Sequence, residues 1–282
     1  RKGQVQEMIK RQLYPICEFD TSRKPIIHPT DFLERILPKK CVITFFRKEL
    51  SKFVEEEKLS VIGYLHSEVM DIPIYEYTLS DGVCTPQECM GECPDGYILP
   101  GEKICITMPF PTAPGAATTI EELHAMGCEK FIVCGAAGSI KSGSAVGKII
   151  VPTAAVRDEG TSYHYLEPAR EVEGNKETLK VVTDGLERLG IPYTLGKTWT
   201  TDAMYRETPE MIAQRRKEGC ITVEMETAAF FAVSKYYGIS LAQLLYTGDD
   251  VSGEQWDERS WRAQKSVREN MILTSIKLIQ GL

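Results

Sequence analysis

Short apolar runs rich in β-branched and aromatic residues alternate along this chain with stretches of helical period, and that alternation restricts the fold more than any other feature. The runs are Cys41–Phe46, Val61–His66, Ile72–Tyr77, Ile104–Met108, Phe131–Cys134, Lys148–Val151, Tyr193–Trp199, Ile221–Val223 and Leu241–Tyr246. Each is short and bounded by turn-forming residues, which predicts buried strands. Between them Ala116, Ile120, Leu123 and Gly127 recur at helical spacing, opened by Pro114-Gly115 and closed by Gly127. Thr178–Leu189 reads as a second helix. Met225–Tyr237 is apolar on nearly every face and ends at Gly238, so a buried helix is expected there. Glu258–Ile279 reads as a long C-terminal helix with Val267, Met271 and Leu278 on one stripe. The pattern predicts an α/β fold, a three-layer α/β/α sandwich around a central mixed, largely parallel sheet. Residues 1–40, punctuated by Pro25, Pro29 and Pro38, are expected to form an N-terminal arm, and residues 41–282 a single α/β unit.

Charge narrows the partners. The 33 basic and 40 acidic residues give a formal charge of −7, whereas nucleic-acid binding needs a positive field. The basic groups Lys39-Lys40 with Arg47-Lys48, and Arg215-Arg216-Lys217, lack interleaved aromatics and read as solvated faces. No nucleic-acid partner is expected. Apolar runs reach only about ten residues, short of a bilayer span, and no signal-peptide pattern is visible, so no membrane partner is expected. Nine scattered cysteines, an odd number, fit reduced thiols in a cytoplasm. Cys84, Cys89, Cys93 and Cys105 follow C-x4-C-x3-C-x11-C. Those gaps are looser than the pairs that close on zinc, so no metal is expected.

In α/β folds ligands bind at the carboxyl ends of strands, and four such segments stand out. Gly135-Ala136-Ala137-Gly138-Ser139, read as a turn after Phe131–Cys134, permits close backbone approach by a ligand or tight packing of a strand and loop. Val223-Glu224-Met225-Glu226-Thr227 places two carboxylates where a strand enters an apolar helix. Helix N-terminal N–H groups would satisfy one. The second then faces a polar ligand, and a carboxylate suits two neighbouring hydroxyls. Asp249 and Asp250 end a strand, where alternation sends them to opposite sides, which disfavours a two-carboxylate metal site. Val156–Tyr165 reads as a binding loop, with His164 as a structural histidine.

In this order the segments resemble the nucleoside phosphorylase superfamily, the branch of uridine phosphorylase, hexameric purine nucleoside phosphorylase and methylthioadenosine nucleosidase. The resemblance runs from about His28 to the C-terminal helix. It is carried by VEMETAAFFAVSKYYGI, VPTAAVRDEGTSYHY, TTDAMYRET and GDD. It implies a nucleoside phosphorylase-like fold and cleavage of a ribonucleoside's N-glycosidic bond by phosphate, giving free base and ribose-1-phosphate. Glu226 and Met225 would bind the ribose, and Asp249 would protonate or hydrogen-bond the leaving base. Met204, Tyr205 and Arg206 would line the base. His28 would reach the ribose of a neighbouring subunit, in a homodimer or a hexamer built from dimers. Phosphate would be a co-substrate, with no cofactor and no metal.

Phosphate binding departs from the family pattern. Where the family has a G-D-P-x-R loop, this chain has Thr44-Phe45-Phe46-Arg47-Lys48. The family's arginine before the central glycines is Val133, and its hydroxyl residue is Ala136. Arg47, Gly135 and Ala136 are the phosphate-binding candidates, with Lys48, Arg157 and Ser139 able to add charge or a hydrogen bond. These departures leave two alternatives, a phosphate-independent nucleosidase and a non-catalytic nucleoside-binding protein of the same fold.

Overall fold

In β1 (Lys40–Thr44) alternate residues face opposite sides. Cys41 and Ile43 enter one apolar core, and Val42 enters another. The sheet therefore has helices to bury on both faces. The computed structural model describes residue 9 and residues 11–21, 25–32, 36–79, 101–141, 143 and 146–282. Cys84, Cys89 and Cys93 lie outside those residues.

Helix α1 (Arg47–Glu57) follows β1 directly, and then come β2 (Ser60–His66), β3 (Asp71–Thr78) and β4 (Lys103–Thr107). Next are α2 (Thr112–Ala125), β5 (Lys130–Ser139), β6 (Ile149–Asp158) and the short β7 (Glu171–Glu173). The chain continues through α3 (Lys176–Arg188), β8 (Tyr193–Thr201), α4 (Pro209–Lys217), β9 (Cys220–Glu224), α5 (Thr227–Tyr237), β10 (Ser240–Asp250) and α6 (Lys265–Ile279). The strands form one sheet in the order β10-β6-β8-β9-β5-β1-β4-β3-β2, with β7 on β6. The run β4-β1-β5-β10 is parallel, as is β6-β8-β9. Antiparallel pairings of β10 with β6 and of β5 with β9 join the two runs. Because β5 pairs with both β10 and β9, that half of the sheet closes on itself. Helices α2 and α5 cover one face, and α1, α3 and α6 cover the other.

Local chemistry sets several helix ends. Asn175 accepts the Thr178 N–H at 2.9 Å to open α3, and Thr208 accepts that of Met211 at 3.3 Å ahead of Pro209 in α4. Gly238, with φ of 70°, ends α5 in a left-handed turn.

Three expectations need correction. Gly135–Ser139 is strand rather than turn, because β10 pairs with β5 as far as Ser139 and β9 joins at Gly138 and Ser139. A Cβ on Gly138 would lie 3.1 Å from Val223 Cγ1, so the missing side chain is what lets β9 approach. The C-terminal helix begins at Lys265 rather than Glu258, since Arg259 and Ser260 take positive φ and a single 3-10 turn, Trp261–Ala263, precedes it. Arg215, expected on a solvated face, is buried and pairs with Asp158 at 2.8 Å and Glu218 at 3.1 Å.

Candidate active site

The two carboxylates at the start of α5 separate into different tasks. Glu224, at the end of β9, is buried and accepts four hydrogen bonds. Thr198 and Thr200 hydroxyls donate to Oε1 at 3.3 and 2.7 Å, and the Glu226 and Thr227 N–H groups donate to Oε2 at 2.8 and 2.6 Å. It is the carboxylate that the helix N-terminus satisfies. Burial pushes its pKa up, and these donors oppose that shift. Glu226 is left to line a cavity with Phe45, Phe46, Gly135, Ala136, Gln243, Leu245, Trp261 and Arg268. The cavity measures about 180 Å³, less than the roughly 300–1,000 Å³ of pockets that enclose a whole small ligand. It has room for only part of such a ligand.

Backbone donors hold Glu226. The Thr112 N–H bonds its Oε1 at 2.9 Å. Thr112 has φ of 69°, a conformation that costs a β-branched residue about 1–3 kcal/mol and collects at functional sites. Burial and the neighbouring Glu224 charge raise the Glu226 pKa to about 7.

A second group of residues gathers beyond the end of β10. Asp249 and Asp250 point apart. Asp250 pairs with Arg259 and accepts the Ser252 N–H at 2.6 Å. Its backbone exchanges two hydrogen bonds with Asp257, at 2.8 and 3.0 Å, which folds the loop back. That return places Trp256, whose indole N–H donates to Asp249 Oδ2 at 2.7 Å. Glu207 is half-buried beside this pair, and burial followed by the Asp249 charge raises its pKa to about 7. Met204, Tyr205 and Arg206 form an exposed 3-10 turn just before it.

The structure thus brings Glu226, Gly135 and Ala136 to one cavity. Arg47 is exposed at the first position of α1 and does not line that cavity, a correction to its expected place. Helix α1 starts immediately after Phe46 and carries Arg47 away on its solvent face. Arg157 is spent on Ser162 at 2.8 Å and on the carbonyls of Glu167 and Leu166 at 2.8 and 3.2 Å. Ser139 donates to the Lys141 carbonyl at 3.1 Å. The cationic residue that does line the cavity is Arg268 in α6. His28 is exposed, its N–H donating to Asp31 Oδ2 at 2.9 Å, and neither it, Met225 nor Asp249 lines the cavity. Sequence reasoning missed Arg268, Trp261, Trp256 and Glu207. The only sequence signal for Arg268 is a cation flanking the apolar stripe of the last helix.

Among the described residues no His, Cys, Asp or Glu group has metal-holding geometry, and no helix is long and apolar enough to cross a membrane.

Comparison with known proteins points one way. A family profile described as the phosphorylase superfamily matches residues 73–278. A guanosine phosphorylase of Halorubrum lacusprofundi is 26% identical over 167 residues, covering 57% of this chain and 69% of that protein. A uridine phosphorylase of Thermococcus kodakarensis is 30% identical over 152 residues, covering 49% of this chain and 55% of that protein. The match therefore spans little more than half of the second relative. The crystal structure of a uridine phosphorylase from Vibrio fischeri superposes with a TM-score of 0.65 at 20% identity, over 93% of this chain and 98% of that one. That of an AMP nucleosidase from Bacteroides thetaiotaomicron gives 0.64 at 20% identity, over 86% and 87%. At that identity both show the fold alone.

Proposed function

The chain belongs to the phosphorylase superfamily, and from that premise we propose that it is a nucleoside phosphorylase. It would cleave the N-glycosidic bond of a ribonucleoside with inorganic phosphate, giving free base and ribose-1-phosphate. The observation that carries this proposal is the freed Glu226 carboxylate, which shares one cavity with the bare backbone of Gly135 and Ala136. Glu226 would accept hydrogen bonds from two ribose hydroxyls, with Met225 against the sugar. As the C1′–N bond lengthens the sugar gains positive charge, and a fixed carboxylate stabilises that charge more than the ground state. Phosphate would attack C1′ from the Gly135–Ala136 side. The base would leave toward Asp249 and the Met204–Arg206 turn, where a carboxyl supplies or steadies a proton. His28 of a neighbouring subunit would complete the ribose site, in a dimer or a hexamer of dimers.

Base release from a nucleoside panel, with and without phosphate, tests this. Phosphate-dependent release with a ribose-1-phosphate product is expected. Equal release without phosphate overturns it and assigns a hydrolase. A specific observation favours that second possibility: Val133 is fully buried in the apolar core and Ala136 offers no hydroxyl, so two family phosphate contacts are absent.

Ionisation gives a further test. A carboxylate accepts from two hydroxyls, whereas a protonated carboxyl loses acceptor capacity and its charge. With Glu226 at about 7, kcat/KM should fall as pH drops through that value and level off above it. Burial and the Asp249 charge also raise the Glu207 pKa to about 7, but Glu207 and Glu226 do not shift one another, so substitution separates them. Glu207→Gln should retain a limb and Glu226→Gln should not. A profile flat from pH 5 to 9 would remove the ionised-carboxylate role.

A further inference from the structure

The sequence departures leave open what meets an anion's charge in this cavity. Among the described residues that line it, Arg268 is the only cation. Its Nε donates to the Tyr246 phenol oxygen at 3.0 Å, and its Nη2 to the Trp261 carbonyl at 2.9 Å. The guanidinium also lies 5.7 Å from the Phe46 ring centre and 5.3 Å from that of Trp261. Tyr246 is the register partner of Ala136, so the phenol that anchors Arg268 belongs to the strand beside the cavity floor. These contacts use two of the five N–H groups and hold the guanidinium in a defined plane.

The remaining contact is poorly made. Glu49 of α1 is buried, and its Oε1 lies 3.6 Å from Arg268 Nη1, beyond hydrogen-bond length. Its other oxygen has no hydrogen-bond partner. A buried ion pair with long geometry and an orphaned oxygen recovers little of its desolvation cost. The guanidinium is therefore open to a better-fitting anion, and a tetrahedral oxyanion accepts its N–H groups side by side.

We propose that Arg268 is the oxyanion ligand of this cavity, binding inorganic phosphate at the Gly135–Ala136 end, and that Glu49 competes with the anion for the guanidinium. The identity of the anion rests on the phosphorylase assignment. The charge that the family places on the strand before Gly135 is supplied here from the C-terminal helix. Glu49 lowers phosphate affinity and spares Arg268 an uncompensated buried charge while the cavity is empty.

Calorimetric titration of the full chain with inorganic phosphate tests this without turnover. Arg268→Gln is expected to weaken phosphate binding by about tenfold or more, and Arg268→Lys by less, because a point charge lacks the paired donors. Glu49→Gln is expected to tighten binding several-fold, which a purely structural ion pair would not do. In the cleavage assay Arg268→Gln should raise the phosphate KM while the nucleoside KM stays within about threefold. Unchanged phosphate affinity in Arg268→Gln overturns the proposal, as does wild-type protein that binds no phosphate. If Arg268→Gln fails to fold, Glu49→Gln decides: affinity equal to or below wild type overturns it. Phosphate-dependent cleavage indifferent to Arg268 removes this residue and leaves the phosphorylase standing. Arg268-dependent phosphate binding with phosphate-independent cleavage removes the phosphorylase and leaves the anion site.

Discussion

Replacing Glu226 by Ala should lower kcat/KM by on the order of 10²–10³-fold, the cost of removing one preorganised group aimed at transition-state charge, while Tm stays within about 2 °C of wild type. The argument rests on the division between the two glutamates. The amides of the α5 N-terminus bond Glu224, so losing Glu226 strips no helix cap. It removes a carboxylate whose raised pKa shows that the fold holds it at a cost. The loss should fall mainly on kcat, since the interaction grows as the sugar becomes cationic. Steady-state kinetics and thermal unfolding on the same preparation check both halves. Near-normal kcat/KM would take the ribose role away from Glu226.

Replacing Glu224 by Ala should do the reverse, with its primary effect on stability. Four donors lose this acceptor: the amides of the N-cap Glu226 and of Thr227, the first α5 residue, and the buried hydroxyls of Thr198 and Thr200, of which Thr198 keeps the Thr222 carbonyl. A lost cap costs about 1–2 kcal/mol, and buried donors left unsatisfied add to that, for a total of about 3 kcal/mol. At roughly 2–4 °C per kcal/mol for a chain near this size, Tm should drop by about 6–12 °C. Activity should fall as well, because the Glu226 amide and the start of α5 are both held by Glu224. Glu224→Gln keeps one acceptor oxygen and should lose less than half as much. A Tm unchanged in Glu224→Ala would show that α5 is placed by its apolar packing alone.

The contrast explains why the site was only partly legible from residues in order. Val223–Thr227 announces two acids at a strand-to-helix junction, and elementary capping physics says one of them is spent. Which one depends on Thr198 and Thr200, two threonines of β8 that reach Glu224 on the neighbouring strand β9. The opposed directions of Asp249 and Asp250 follow from strand alternation and were legible. The loop that returns Trp256 to Asp249 was not, because the Asp250–Asp257 backbone pairing leaves no pattern in hydrophobicity. Glu207 acquires its high pKa from burial and from a charge more than forty positions away in the chain.

The elements show the same division. All nine expected strands occur, since β-branched runs cut by glycine and proline carry their own signal. The three-residue β7 was too short to register. Helices α1 and α4 were hidden by charge: in Arg47–Glu57 only a few apolar residues face the core, and α4 has a cationic last turn. The extension of β5 through Gly135–Ser139 was unreadable because glycine and alanine favour strands little, and pairing with β10 and β9 decides the matter.

By itself, then, the sequence determined the α/β alternation, the family, and which carboxylates are candidates for the chemistry. These rest on local periodicity and on residue types within a few positions of one another. Only the tertiary structure decided which glutamate faces the cavity, that Arg47 leaves it, and that Arg268 enters it from the last helix. Those outcomes depend on hydrogen bonds and ion pairs closed between residues distant in the chain, where burial makes each partner's position count and sequence spacing carries no record of it.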